Sequence, residues 1–160
     1  MGLYARSDKV AFYGVPGTGG ELTYHRMKNF TSLSISKNAK EYSRQYVDEV
    51  SERTDVVGYA TSIAYNFDLD PEYDVHKDIV EITDKEKIGD DAVRTIINVD
   101  MKSEGTGGKK KAVKRNYSII PDAEGGSLDA YTYSGNFKAT SEAEEIEVTV
   151  SADGLTITVE

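Results

Sequence analysis

The residues with the strongest claim to chemistry are Gly14-Val15-Pro16-Gly17-Thr18-Gly19, which follow a short apolar run from Val10 to Tyr13. They fit the first six positions of the phosphate-cradling pattern G-x-x-x-x-G-K-[ST], in which glycines let backbone N–H groups approach a phosphate. The chemistry of that pattern lies in its last two positions, a lysine that reaches the outer phosphates and a hydroxyl that holds magnesium. Here those positions are Gly20 and Glu21. A carboxylate repels the phosphates such a loop attracts, so the stretch reads as a Gly-rich connector and not as a nucleotide site.

Other chemistry-bearing residues lack the spacing a site needs. His25 and His76 form no H-x-x-x-H or H-E-x-x-H pair, and each is expected to be a surface histidine. Ser, His and Asp are all present, but no G-x-S-x-G elbow presents a nucleophile. Asp68, Asp70, Glu72 and Asp74 recur every two residues like the start of a calcium loop. Pro71 interrupts the phase, Tyr73 replaces the glycine of the sixth position, and Ile79 stands where the closing glutamate belongs. Helix capping accounts for these carboxylates better. The same run is the basis of an alternative reading, a β-sandwich module that binds calcium or carbohydrate. The absence of cysteine excludes disulfides, thiolate metal sites and cysteine nucleophiles together. The expectation is a protein that is not an enzyme and has no metal or cofactor.

The elements are mostly strands. The chain has 160 residues, enough for one domain with a real core, and its net charge of -9 argues against a general nucleic-acid binder. No apolar run approaches the length of a membrane span, and the N-terminal residues lack the apolar core of a signal peptide, so a cytoplasmic chain is expected. Period-two alternation predicts strands over 30–36, with Leu33 and Ile35 on one face, and over 59–67, with Tyr59, Thr61, Ile63, Tyr65 and Phe67 aligned. Further strands are expected over 93–99, 112–120, 130–139, 146–150 and 155–159. Asp153-Gly154 supplies a tight hairpin between the last two. One segment has helical spacing: Val75, Ile79 and Ile82, widened by Val80, with Asp70 or Asp74 as the cap and Gly89 near the stop. The fold class is therefore mainly β, a β-sandwich with one flanking α-helix laid on the sheet.

Three segments fit no core element. Residues 1–28 are Gly-rich and read as a flexible N-terminal arm, with the sandwich beginning near Phe30. Residues 103–111, SEGTGGKKK, read as a mobile loop. Residues 37–55 mix four basic with five acidic side chains around Tyr42, Tyr46, Val47 and Val50, and fit either a helix or two extended arms around a turn. Nineteen residues without Pro or Gly is long for a connection, and such loops are usually functional or disordered. The basic cluster Lys109, Lys110, Lys111, Lys114 and Arg115 contrasts with the acidic stretch from Ser141 to Glu160. That asymmetry permits head-to-tail association, although a solvated loop explains the cluster as well. Eleven tyrosines suit either strands or interfaces that also meet water.

The block EYSRQYVDEVSERTDVVGYATSIAYNFD, Glu41 to Asp68, followed by VHKDIVEITDKEKIGDDAVRTIINVDM, Val75 to Met101, resembles the major tail protein, or tail tube protein, of long-tailed bacteriophages. The resemblance implies a β-sandwich flanked by a helix that forms hexameric rings, stacked into a hollow tube for genome delivery. It implies that a long protruding hairpin reaches a neighbouring ring or subunit, and 37–55 matches it as an assembly loop. Tyr42, Arg44, Tyr46, Val47, Asp48, Glu49, Val50, Glu52 and Arg53 then form the stacking interface: Tyr42, Tyr46, Val47 and Val50 pack, while Arg44 and Arg53 pair with carboxylates across the joint. An acidic lumen would repel DNA phosphates; Glu41, Asp48, Glu49, Glu52 and Asp55 are its candidates, the acidic C-terminal stretch is the rival, and the basic loop lies outside the channel. The implied partners are the protein itself, a tape-measure protein and tail-end proteins, with DNA passing through unbound. The implied location is the virion tail, assembled in the host cytoplasm, with no membrane association.

Overall fold

The computed structural model describes residues 2–126 and 128–159; Met1 of the expected arm and Glu160 of the acidic stretch lie outside the described residues. Eleven strands and one helix follow in chain order among them. The strands are β1 (Lys9–Pro16), β2 (Leu22–Arg26), β3 (Phe30–Ser36), β4 (Ala39–Arg44), β5 (Arg53–Tyr59), β6 (Ser62–Asp68), β7 (Val93–Asp100), β8 (Lys110–Gly126), β9 (Tyr131–Ala139), β10 (Glu144–Val150) and β11 (Thr156–Val159). The helix α1 (Asp74–Asp84) lies between β6 and β7. The architecture is mainly β and sandwich-like, every strand pairing among the described residues is antiparallel, and the hairpin β4–β5 stands apart from the large sheet.

Six strands close on themselves. β1 pairs with β2, β2 with β11, β11 with β10, β10 with the first half of β8, β8 with β7, and β7 with β1 again. Inside this ring lie Val10, Phe12, Tyr24, Ile97, Val99, Ala112, Val148 and Ile157. The 17-residue β8 runs on past the ring, and its second half begins a sheet in the order β8-β9-β6-β3. One face of that sheet is covered by α1, which contributes Val75, His76, Ile79 and Ile82 to a second core with Ile63, Tyr65, Phe67, Ile119 and Phe137.

The two cores explain the sequence patterns that broke alternation. Val10 and Phe12 face the ring interior while Ala11 and Tyr13 face the helix side, so β1 is buried on both faces and reads as a continuous apolar run. Ile96 departs from the phase of Ile97 and Val99 because it too faces the helix-side core. The expectation of a flexible arm over 1–28 is corrected here: β1 and β2 are interior strands of the sheet. Gly14, the first glycine of the phosphate-loop look-alike, sits opposite Tyr24, and a Cβ there would lie 3.0 Å from the tyrosine ring. Gly17 to Glu21 form the β1–β2 turn, held by a Gly17 N–H bond to the Glu21 carbonyl. A phosphate loop opens a helix, and this one opens an antiparallel strand.

The helix begins and ends differently from its sequence signals. No side chain caps its start at Tyr73; Asp70 instead accepts from the Glu72 N–H in a local turn. It stops before Gly89, with Lys85 as its C-cap, and the next residue, Glu86, takes a positive φ of 50°. The Glu86 and Lys87 N–H groups bond back to the Thr83 and Ile82 carbonyls, a Schellman arrangement that satisfies the last turn.

Candidate assembly surface

The segment 37–55 resolves into two extended arms around a turn. β4 and β5 pair with Arg44 opposite Arg53, Ser43 opposite Thr54 and Tyr42 opposite Asp55, with a bulge between Lys40 and Glu41. Neither strand contributes a residue to either core. Tyr42, Tyr46, Val56, Val57 and Tyr59 are exposed, and Val47 and Val50 at the tip are wholly so. The strand expected over 59–67 breaks here: Tyr59 ends the hairpin, and burial of Thr61, Ile63, Tyr65 and Phe67 belongs to the next stretch.

The two arginines have partners within the hairpin. Arg44 lies 2.5 Å from Asp55, donates to the Tyr46 hydroxyl at 3.1 Å, and its guanidinium stands over the Tyr42 and Tyr46 rings. Arg53 grips Glu49 through two bonds of 2.9 Å and also faces the Tyr46 ring. These contacts fix the shape of the tip more than they stabilise the fold, since exposed ion pairs are screened by solvent. In the single chain Arg44, Arg53, Glu49 and Asp55 are therefore engaged with one another. Asp48, Glu52 and Glu41 form no ion pair among the described residues.

The sheet β8-β9-β6-β3 offers two unpaired edges and one uncovered face. β3 pairs only with β6. On β8, pairing with β7 ends at Ser118, so residues 119–126 bond only to β9. The face opposite the helix carries the cross-strand rungs Ser34-Ala64-Asn136-Ile120 and Ser36-Ser62-Lys138-Ser118. Lys138 is the one charge in those rungs, and none of the five acidic lumen candidates lies on this sheet.

The basic and acidic stretches meet within one chain. Lys111 stands opposite Glu147 and Lys114 opposite Glu144 across β8 and β10. Lys110 and Lys111 are strand residues, and the preceding loop is tied down by bonds from Gly105 N–H to the Lys109 carbonyl and from Thr106 N–H to Glu147. The reading of 103–111 as wholly loop is corrected accordingly, as is the reading of this cluster as a solvated loop.

One buried and one half-buried polar group link α1 to the sheet, and local spacing shows no sign of either. His76 is fully buried, which corrects its reading as a surface histidine. Its Nδ1 accepts from the Asp70 N–H and its Nε2 faces the Lys28 carbonyl, each at 3.0 Å, amid Phe30, Phe67 and Tyr73. Burial holds its pKa below the ordinary imidazole value. Asp78 accepts from the Tyr13 hydroxyl and from Arg94 at 2.8 Å, and burial first, then Asp78, drives the Tyr13 pKa well up. No group of three or more His, Asp or Glu side chains suited to a metal occurs among the described residues.

No protein-family model matches the chain, and no curated protein matches it in sequence. Among solved structures, it is similar to a chain from the cryo-EM structure of the anti-feeding prophage (AFP) baseplate, 6-fold symmetrised. The TM-score is 0.50 at 8% identity, over 91% of this chain and 97% of that one. The likeness is one of fold.

Proposed function

We propose that the protein is a structural subunit of a phage tail or tail-like injection machine, and within it a tube subunit that assembles into rings, hexameric by the resemblance, which stack into a channel for genome delivery. The observation that carries this reading is the β4–β5 hairpin. It adds nothing to either core, yet it holds Val47 and Val50 fully in water on a tip whose shape is fixed by paired arginines. Exposed apolar side chains grouped on a projecting element mark a surface that another molecule covers.

The fold supports the same reading. A prophage baseplate assembly contains a chain of similar fold along nearly its whole length. The four strands β8, β9, β6 and β3 alternate in direction. A rotated copy therefore presents its β3 antiparallel to the free half of β8, and repetition extends the sheet around a ring. Asp122 and Glu124 lie on the β8 side, while Arg6 and Arg26 flank β3. With α1 on the outside, the Ser- and Asn-bearing face lines the channel, where hydroxyl and amide groups predominate and Lys138 is the one cation of those rungs that a passing phosphate backbone would meet. The hairpin reaches the next ring through Val47 and Val50, and Asp48 and Glu52 remain available for cations across that joint.

The test is the double substitution Val47→Ser and Val50→Ser. Both sites are exposed, so folding stability is expected to change by no more than about 0.5 kcal/mol. Sedimentation velocity is expected to show that ring-to-ring association is lost. Stacking at wild-type concentrations would remove the hairpin from the interface.

A further inference from the structure

A slot of about 390 Å³ lies between the start of β1 and the free edge of β3. Arg6, Lys9 and Arg26 line it, and no carboxylate does. Both of its walls are strand edges. Lys9 pairs with Asp100 on one side, while the β1–β2 register begins only at Phe12, so the other side of Lys9 has no strand partner. The opposite wall is the β3 edge at Phe30 to Leu33.

Arg6 bridges the two walls. It sits in a 3-10 turn, Arg6–Asp8, that is held by the Ala5 N–H bond to Asp8 at 2.7 Å and by Lys102 at 3.2 Å from the same carboxylate. From there its guanidinium donates to the Lys9 carbonyl at 2.6 Å and to the Leu33 carbonyl at 3.3 Å. Those carbonyls point where the N–H groups of an added strand would bond. A guanidinium, with donors in a planar fork, occupies the place of such a strand while remaining exposed to solvent.

We infer that Arg6 is a displaceable placeholder that caps the β3 edge in the free subunit, and that the segment which replaces it is the acidic free edge of β8 from a second copy of this chain. The inference rests on the reading of β3 as an assembly edge. An exposed strand edge invites indiscriminate pairing, and covering it is how folded proteins avoid that. The incoming strand supplies N–H groups to the Leu33 carbonyl, and Asp122 and Glu124 receive the guanidinium that has been moved aside. Edge pairing is thus made conditional on an acidic partner strand.

Three variants test this, each first checked for an unchanged circular dichroism spectrum and melting curve. Arg6→Ala frees the edge, and Arg6→Lys keeps the charge but cannot bridge both carbonyls. Arg6→Lys is expected to lower the concentration at which subunits associate by roughly fivefold, the effect of losing about one ordinary net hydrogen bond; Arg6→Ala, which also loses the pairing with Asp122 and Glu124, is expected to lower it by less. Ile35→Pro removes an N–H that, two residues from Leu33, points away from β6; it is expected to abolish association while β3 stays paired. If Ile35→Pro blocks association and both Arg6 variants associate no more readily than wild type, the placeholder role is overturned and the assembly edge stands. If Ile35→Pro associates like wild type, the edge itself has been misassigned and the inference falls with it.

Discussion

His76 shows how a single residue ties sequence to stability. A backbone N–H donates to its Nδ1, so only the neutral tautomer with the proton on Nε2 satisfies both of its contacts, and that proton is donated to the Lys28 carbonyl. Burial dominates and depresses the folded pKa, outweighing the Lys28 carbonyl bond and the Asp70 and Asp68 charges, which favour the protonated ring, while the Lys28 ammonium adds to the depression. Between the folded value and the unfolded value of about 6.5, the unfolded chain binds more protons. The stability linked to His76 is therefore fully present above the unfolded value and is lost as the pH falls through the folded one. Thermal melts across that window are expected to fall with pH in the wild type and to be flatter in His76→Gln, whose amide can donate and accept in place of the ring. Equal slopes would contradict this account. The sequence shows only a histidine on an otherwise apolar helix stripe; its burial depends on Phe30 and Lys28, more than forty residues away, and local spacing carries no record of them.

At the scale of elements, legibility followed burial on one face. The strands over 93–99, 112–120, 130–139, 146–150 and 155–159 match β7 to β11 in place because each presents alternation or a hairpin turn, and Gly154 adopts the positive φ that its turn requires. β1 was hidden because both its faces are covered, and β2 because its neighbouring Gly-rich turn dominates the local composition. The hairpin β4–β5 was recognisable by its length and mixed charge, while its internal Arg44–Asp55 and Arg53–Glu49 pairing needed the register to be seen. Because no residue from 41 to 55 belongs to either core, deletion of that span is expected to leave the β-rich domain folded. Loop-closure entropy predicts a change of about 1 kcal/mol or less in chemical denaturation. A deletion variant that unfolds would show that the hairpin supports the fold rather than serving only assembly.

The whole molecule combines a closed six-stranded ring with an open four-stranded sheet that the helix covers on one side. The ring leaves few edges exposed, and the open sheet concentrates them at β3 and at residues 119–126. That division separates a self-sufficient half from a half completed by neighbours, as a subunit that extends a sheet around a symmetric assembly requires. Closure by the β8–β10 pairing was not legible in the sequence, since it joins residues 110–114 to 144–148 with the charged pairs Lys111–Glu147 and Lys114–Glu144 on opposite faces, so that neither strand shows a clean alternation there. The most direct test of the account is negative-stain electron microscopy of the purified protein over a range of high concentrations, alone and with phage tail partners. Rings with a central channel, or tubes built from them, are the expected result. Persistent monomers under every condition would contradict it.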